Sequence, residues 1–310
     1  MILAPMSGVT DDSFRRMILK LGRPDVFWTE FISAAALLTP KGRKYCLDVL
    51  KFSPKERPIV AQIFGSDPLQ IEKACAVVAE LGFDGIDINM GCPDKDIEKQ
   101  GAGAALIKNP GLAKEIIKAA KRAASAEASA SQGRELPVSV KTRIGYDKDE
   151  ISKWIPALLK ENIAALSVHF RTRKEQYSSF AHWELAKKIV KLRDKYSPKT
   201  LIIGNGDIKS LEQAKQFAEK YKVDGFMVGR GALTNPWFFA GREPSIAERL
   251  EAIVEHAEIF DVKTFDAVKK YFNAYAKGFN GAKELREELM KVKNSAETKK
   301  VVEDFSKNVV

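Results

Sequence analysis

The chain has 310 residues, 45% hydrophobic and 30% charged, enough for about two domains with buried cores and too apolar for a disordered chain. Its 51 basic and 41 acidic side chains leave a charge of +10, which favours an anionic partner: nucleic acid, a phosphorylated metabolite or a lipid surface. Three separated cysteines and three histidines exclude a disulfide framework and point to no metal site. No run reaches the ~18 uncharged apolar residues of a membrane span, and Met1-Ile2-Leu3-Ala4-Pro5 is too short for a signal peptide. A cytoplasmic protein, without membrane or metal partners and monomeric, is expected.

Eight short apolar or β-branched runs recur: Met1 to Pro5, Asp25 to Glu30, Pro58 to Ile63, Gly85 to Asn89, Pro137 to Arg143, Ala164 to His169, Thr200 to Asn205 and Gly225 to Gly229. Helical patterns separate them. Asp67-Pro68 and Asn109-Pro110 mark helix starts, Ser210 with Gln213 reads as a capping box, and Gly82 as a helix stop. Alternating strands and helices imply parallel pairing, and eight such units fit a closed (β/α)8 TIM barrel over residues 1–240. The Ala/Ser-rich stretch 123–133 has no large side chains to bury and reads as a helix end plus a mobile surface insertion. From 241 to 310 the alternation stops. A capping box at Ser245 and Glu248 opens a smaller all-helical C-terminal domain carrying Leu250, Ile253, Tyr271, Phe272, Leu285 and Leu289 at helical spacing. Its middle, residues 262–300, holds 10 basic against 5 acidic residues; an anion-binding face and a solvated helix face explain these equally well.

In such barrels the reacting groups sit where strands end and the following loops converge. The strand ends here carry Ala4-Pro5-Met6, Gln62, Asn89-Met90-Gly91-Cys92-Pro93, Lys141 and Arg143, His169, Asn205-Gly206-Asp207, and Gly229-Arg230-Gly231. Glycine-rich ends on strands 7 and 8 suit a phosphate, with Arg230 adding charge, although tight turns also explain them. Lys141 and His169 would face the mouth and stabilise an electron-rich ring; an ion pair and a core position are their plainer readings. Cys92, between Gly91 and Pro93 just past a strand, is the candidate reacting group, whereas Cys75 lies in a helix pattern and Cys46 reads as structural. A thiol near its ordinary pKa of ~8.5 is mostly protonated at neutral pH and can donate a proton.

Together with Gly101-Ala102-Gly103-Ala104-Ala105-Leu106, Lys141-Thr142-Arg143 and His169-Phe170-Arg171-Thr172-Arg173, these elements resemble the tRNA-dihydrouridine synthases. Asn-x-Gly-Cys-Pro is the most specific of them. Tyr275-Ala276-Lys277-Gly278-Phe279 and Leu285-Arg286 are similar to the bacterial B-type branch. The chain departs from the family at Phe170, usually glycine, and at His182 before Trp183, commonly Asp. The resemblance implies an FMN enzyme that uses NADPH to reduce uridines of tRNA to 5,6-dihydrouridine. By similarity, Ala4, Pro5, Met6, Gln62, Lys141, His169, Asn205, Gly206, Asp207, Gly229 and Arg230 would hold FMN, the last two groups taking its phosphate. Cys92 would protonate C5 of the uracil after hydride reaches C6, and Asn89 would orient the base. Arg143, Arg171 and Arg173, with Lys269, Lys270 and Lys277 of the helical domain, would grip the RNA backbone. A rival within the fold is an FMN oxidoreductase acting on a small pyrimidine, like dihydroorotate dehydrogenase, which the helical domain and +10 charge disfavour. A non-catalytic RNA-binding barrel is disfavoured by Cys92 and the phosphate loops.

Overall fold

The structure, a computed structural model, describes residues 1–127, 135–260 and 264–309. Its eight strands are β1 (Ile2–Leu3), β2 (Phe27–Ser33), β3 (Ile59–Phe64), β4 (Gly85–Met90), β5 (Val138–Arg143), β6 (Ala165–His169), β7 (Leu201–Asn205) and β8 (Gly225–Val228). All pair in parallel in the order β1-β8-β7-β6-β5-β4-β3-β2, and a bridge between Ile2 and Val26 joins the two ends. The expected barrel is present, each strand overlapping one of the eight runs.

Strand ends differ from the runs by at most a single residue except at β1 and β2, where they move further. β1 stops at Leu3 because Pro5 has no N–H for a ladder. β2 continues to Ser33, since a register shift between Trp28 and Phe31 lets Phe31, Ile32 and Ser33 pair with Gln62, Ile63 and Phe64. The helix Pro68–Glu80 starts as expected, Asp67 accepting from Leu69 N and Gln70 N, and ends before Gly82 at φ 77°. Ser210 caps its helix, but Gln213 Oε1 accepts from Lys209 N (2.7 Å) rather than Ser210 N. Of the stretch 123–133, the helix Pro110–Glu127 covers the first part and the remainder lies outside the described residues.

Strand alternation divides the interior into two layers. Outward residues such as Ile59, Ala61 and Ile63, with Ile86, Ile88, Val140, Leu166 and Phe226, join the large core beneath the surrounding helices. Inward residues Ile2, Trp28, Val60, Ile203 and Met227 form a small separate plug. Nearer the strand C-termini the inward positions turn polar, with Gln62, Asp87, Asn89, Ser139, Ser167 and His169 all buried. Buried polar groups cost free energy unless paired, and most of this layer is paired within the fold, Ser167 Oγ alone of the six standing without a partner among the described residues.

Beyond the barrel, the helices Ile246–Ile259, Lys269–Tyr275, Ala282–Leu289 and Ser295–Val309 follow. They dock on the helix Asp12–Leu21 through a ladder of rings, Phe14 on Tyr271 (5.1 Å) and Tyr271 on His256 (4.5 Å). The single Tyr271 hydroxyl proton is shared between Val9 O (2.6 Å) and Asp11 Oδ2 (2.8 Å), which ties the helical region to the loop after β1. Burial holds His256 neutral by lowering its pKa to about 3. Among the described residues no helix is long and apolar enough to cross a membrane.

Candidate active site

The loops after the strands enclose a cavity of about 910 Å³. All eleven residues expected to hold a cofactor line it, from Ala4, Pro5 and Met6 round to Gly229 and Arg230, together with Cys92, Asn89 and Arg143. They come from seven strands, so the barrel itself brings together residues up to 226 positions apart in sequence, Ala4 to Arg230.

Cys92 owes its position to a short local circuit. Asn89, the last inward residue of β4, turns its Oδ1 back on the chain and accepts from Gly91 N (3.1 Å) and Cys92 N (2.9 Å). Its Nδ2 donates to Gln62 Oε1 (3.0 Å), and Gln62 Nε2 donates to Asp87 Oδ2 (2.6 Å). The loop's far side is fixed where Ala104 N donates to Cys92 O (2.9 Å). Gly103 sits so close that a Cβ there would lie 2.8 Å from Cys92 O, which accounts for glycine at this position. Burial raises the Cys92 thiol pKa above its ordinary value, more than Lys141 and Arg143 lower it, so the thiol keeps its proton through neutral pH.

Lys141, inward on β5, has no hydrogen bond or ion pair among the described residues. Burial and the Arg143 guanidinium lower its pKa to about 8, against the pull of Asp87. The plainer ion-pair reading therefore fails: among the described residues Lys141 lines the cavity with no carboxylate bonded to it, while the Asp207 carboxylate of the same cavity is paired with Arg171 and Arg230. His169 Nε2 accepts from Arg171 Nη1 (3.0 Å); a guanidinium only donates, so the ring proton resides on Nδ1. Burial, then the charges of Arg143, Lys141 and Arg171, keep that ring neutral.

On the opposite wall the chain passes through Gly206 at φ 125° and Asp207 at φ 52°. A side chain at Gly206 would meet Ala181 Cβ at 2.7 Å. Asp207 is occupied, accepting from Arg171 Nη2 (2.5 Å), Ala181 N (2.8 Å) and Arg230 Nη2 (3.0 Å), and these cations hold its carboxyl below the usual range despite burial. It braces the wall. Arg230 remains half-exposed over the Tyr177 ring (4.4 Å). An anionic tail beside Gly229 and Arg230, with an electron-rich ring near Lys141, fits this set: one wall offers close backbone and a cation, the other an unpaired ammonium.

The basic residues behave differently from the cavity set. Arg143 lines the cavity but is spoken for, donating to Gly91 O (2.8 Å) and Thr172 O (3.1 Å). Arg171 is buried against Asp207 and Ser179 O, and Arg173 pairs with Glu98 (2.8 Å). Lys269 pairs with Asp266 (2.6 Å) and donates to Met290 O (2.9 Å), while Lys270 and Lys277 donate to Gly8 O and Thr234 O of the barrel loops.

The dihydrouridine synthase (Dus) family model matches residues 2–310. The chain belongs to that family. A "Probable tRNA-dihydrouridine synthase 2" of Bacillus subtilis (strain 168) is 42% identical, covering 99% of this chain and 94% of that protein. A "Probable tRNA-dihydrouridine synthase" of Staphylococcus aureus (strain MRSA252) is 40% identical over 98% and 92%. Among solved structures, morphinone reductase superposes with a TM-score of 0.53 at 13% identity, covering 77% of this chain and 84% of the other, a likeness of fold alone.

In this member of the family the two departures have physical accommodations. Phe170 is fully buried and packs on Trp183 (4.7 Å), so it fills core beside β7 and faces away from the cavity. His182 bonds Glu175 (2.7 Å) and lies 3.3 Å from Glu184, and Glu175 first among them raises its pKa; the histidine braces the loop it belongs to. Sequence reasoning passed over Asp87 and Tyr177. Asp87 lies two positions before Asn89 on the same strand face, so the period of two could have found it. Tyr177 sits in an irregular loop with no pattern to reveal it.

Proposed function

We propose that the protein reduces specific uridines of tRNA to 5,6-dihydrouridine, with FMN as resident cofactor and NADPH as reductant. The observation that carries this reading is the Cys92 thiol, held protonated in the same cavity as the unpaired Lys141 ammonium. Ala4, Pro5, Met6, Gln62, Lys141 and His169 would surround the flavin ring, and Asn205, Gly206, Asp207, Gly229 and Arg230 its phosphate. When bound, FMN supplies the hydride for uracil C6.

The chain's own residues supply position and a proton. Cys92 Sγ–H transfers its proton to C5, so that hydride and proton together saturate the C5=C6 bond. The thiolate left behind is eased by the nearby charges of Lys141 and Arg143 and regains a proton from water. Asn89, already gripping two backbone amides, keeps the thiol's loop set before the base arrives. A uracil reaches a cavity at the end of a barrel only when flipped from its stack. Residues 1–240 would thus form the catalytic domain and 241–310 a tRNA-holding domain; Lys269, Lys270, Lys277, Arg143, Arg171 and Arg173, each already bonded within the fold, would reach the RNA only by giving up those contacts.

The test is direct. The purified protein should be yellow and oxidise NADPH faster with unmodified tRNA but not with orotate. Cys92→Ala should keep the flavin and tRNA affinity yet lose dihydrouridine formation. Undiminished product from that variant removes Cys92 from the acid role, and stimulation by orotate instead of tRNA refutes the substrate.

A further inference from the structure

The connection from β2 to β3 leaves the barrel on the cavity side and contains the helix Pro40–Val49. Cys46 anchors its inner face at 1% exposure, while Lys41, Arg43, Lys44 and Tyr45 are all turned outward, Tyr45 at 68%. None of these three cations has a hydrogen bond, ion pair or ring contact among the described residues. The helix's only acidic residue, Asp48, pairs with Lys51 (3.0 Å). Three cations within four positions repel one another, Lys41 and Lys44 at a directly facing i,i+3 spacing, and no contact among the described residues relieves this.

The patch stands near the cavity rim. Tyr45 is within the electrostatic reach of Glu30, whose carboxylate accepts from Gly8 N, between the cavity-lining residues Ser7 and Val9. The contrast with the helical region is informative: Lys269, Lys270 and Lys277 already hold main-chain carbonyls, whereas Lys41, Arg43 and Lys44 offer charge at no cost in broken contacts. An array of phosphates would remove the repulsion, and an exposed phenol ring beside it gives an unpaired base a face to stack on.

We propose that the helix Pro40–Val49 is an RNA-contact surface, with Lys41, Arg43 and Lys44 engaging backbone phosphates and Tyr45 stacking on an unstacked base. This rests on the tRNA reading above and goes beyond it in assigning where, outside the cavity, the nucleic acid is held.

The experiment compares wild-type holoenzyme, the triple variant Lys41→Ala/Arg43→Ala/Lys44→Ala, Tyr45→Ala and Tyr45→Phe in binding unmodified tRNA across a salt series. For the triple variant the slope of log affinity against log salt should shrink by about 2 to 3, and affinity at low salt should fall at least about tenfold. Tyr45→Ala should weaken binding at every salt concentration with the slope intact, and Tyr45→Phe should restore it. Turnover at saturating tRNA should stay at the wild-type level in all variants. A triple variant with wild-type slope and affinity overturns the assignment, as does one that loses turnover at saturating tRNA. Wild-type protein that forms dihydrouridine alongside an unaffected triple variant refutes this surface alone; wild-type protein that forms none refutes the proposed activity.

Discussion

Asp87→Asn should make the protein more stable and a poorer catalyst, with a dependence on pH that identifies the cause. Asp87 is fully buried, accepting from Ser139 Oγ (2.5 Å) and Gln62 Nε2 (2.6 Å). Those bonds do not offset the burial, which raises its pKa from 3.8 to about 6. That difference corresponds to about 3 kcal/mol of cost to the ionised carboxylate. The sign follows from proton counting. Between pH 3.8 and about 6 the folded state holds the proton more tightly than the unfolded state, so stability falls as pH rises through this window and is flat above it. Asparagine keeps a carbonyl for Gln62 Nε2, turns its amide toward Ser139 Oγ and cannot ionise. In urea melts of both proteins, the variant's advantage should therefore be near zero at about pH 4 and grow to at most about 3 kcal/mol above pH 7. Lys141 loses its one nearby carboxylate in the variant and gives back part of that gain. Its pKa should fall below about 8, so that activity declines at a lower alkaline pH than in the wild type. A stability difference equal at both ends of the range refutes the assignment of this cost to Asp87 ionisation.

Gly103→Ala tests the support beneath the reacting loop: with φ 61° and a Cβ 2.8 Å from Cys92 O, it should cost about 1–3 kcal/mol in denaturant melts. It should also cut dihydrouridine formation about tenfold or more by displacing the thiol; wild-type turnover would show that the loop tolerates the shift. Tyr271→Phe removes the bonds to Val9 O and Asp11 Oδ2 and should lower stability by about 1–3 kcal/mol while leaving the ring stack in place. An unchanged urea midpoint would mean that the stack alone docks the helical region.

What the sequence made legible were short-range features. All eight strands announced themselves as apolar runs, and Asn89, Gly91 and Cys92 form their circuit within four residues, so the motif and the geometry coincide. The end of β2 was not legible, because Phe31 and its neighbours join the sheet only through a register shift set by β3. Nor were the partners of the basic residues. Lys270 meets Gly8, 262 positions away, and Arg173 meets Glu98, 75 positions away; charge is visible in a sequence, but whether a carbonyl or carboxylate has already claimed it is a property of the fold. That is why Lys269, Lys270 and Lys277 read as a free basic face and prove to be tied, while Lys41, Arg43 and Lys44, which no sequence pattern singles out, have no partner among the described residues.

The inward polar layer shows how the barrel separates stability from chemistry. Residues facing outward from β3, β4, β5 and β6 belong to the large core, which packs the strands against the surrounding helices. The inward positions at the mouth are thereby released to carry groups that a stability-driven interior would reject: a buried carboxylate, an unpaired ammonium and a neutral imidazole with cations around it. Each is costly alone, but the costs are coupled. The Asp87 charge raises the pKa of Lys141, and the Lys141 charge lowers that of Asp87 and Cys92. Neutralising Asp87 or Lys141 therefore shifts the others in a direction fixed by its sign, and Asp87, Lys141 and Cys92 titrated side by side in single variants should move as a linked group, as three independent residues would not.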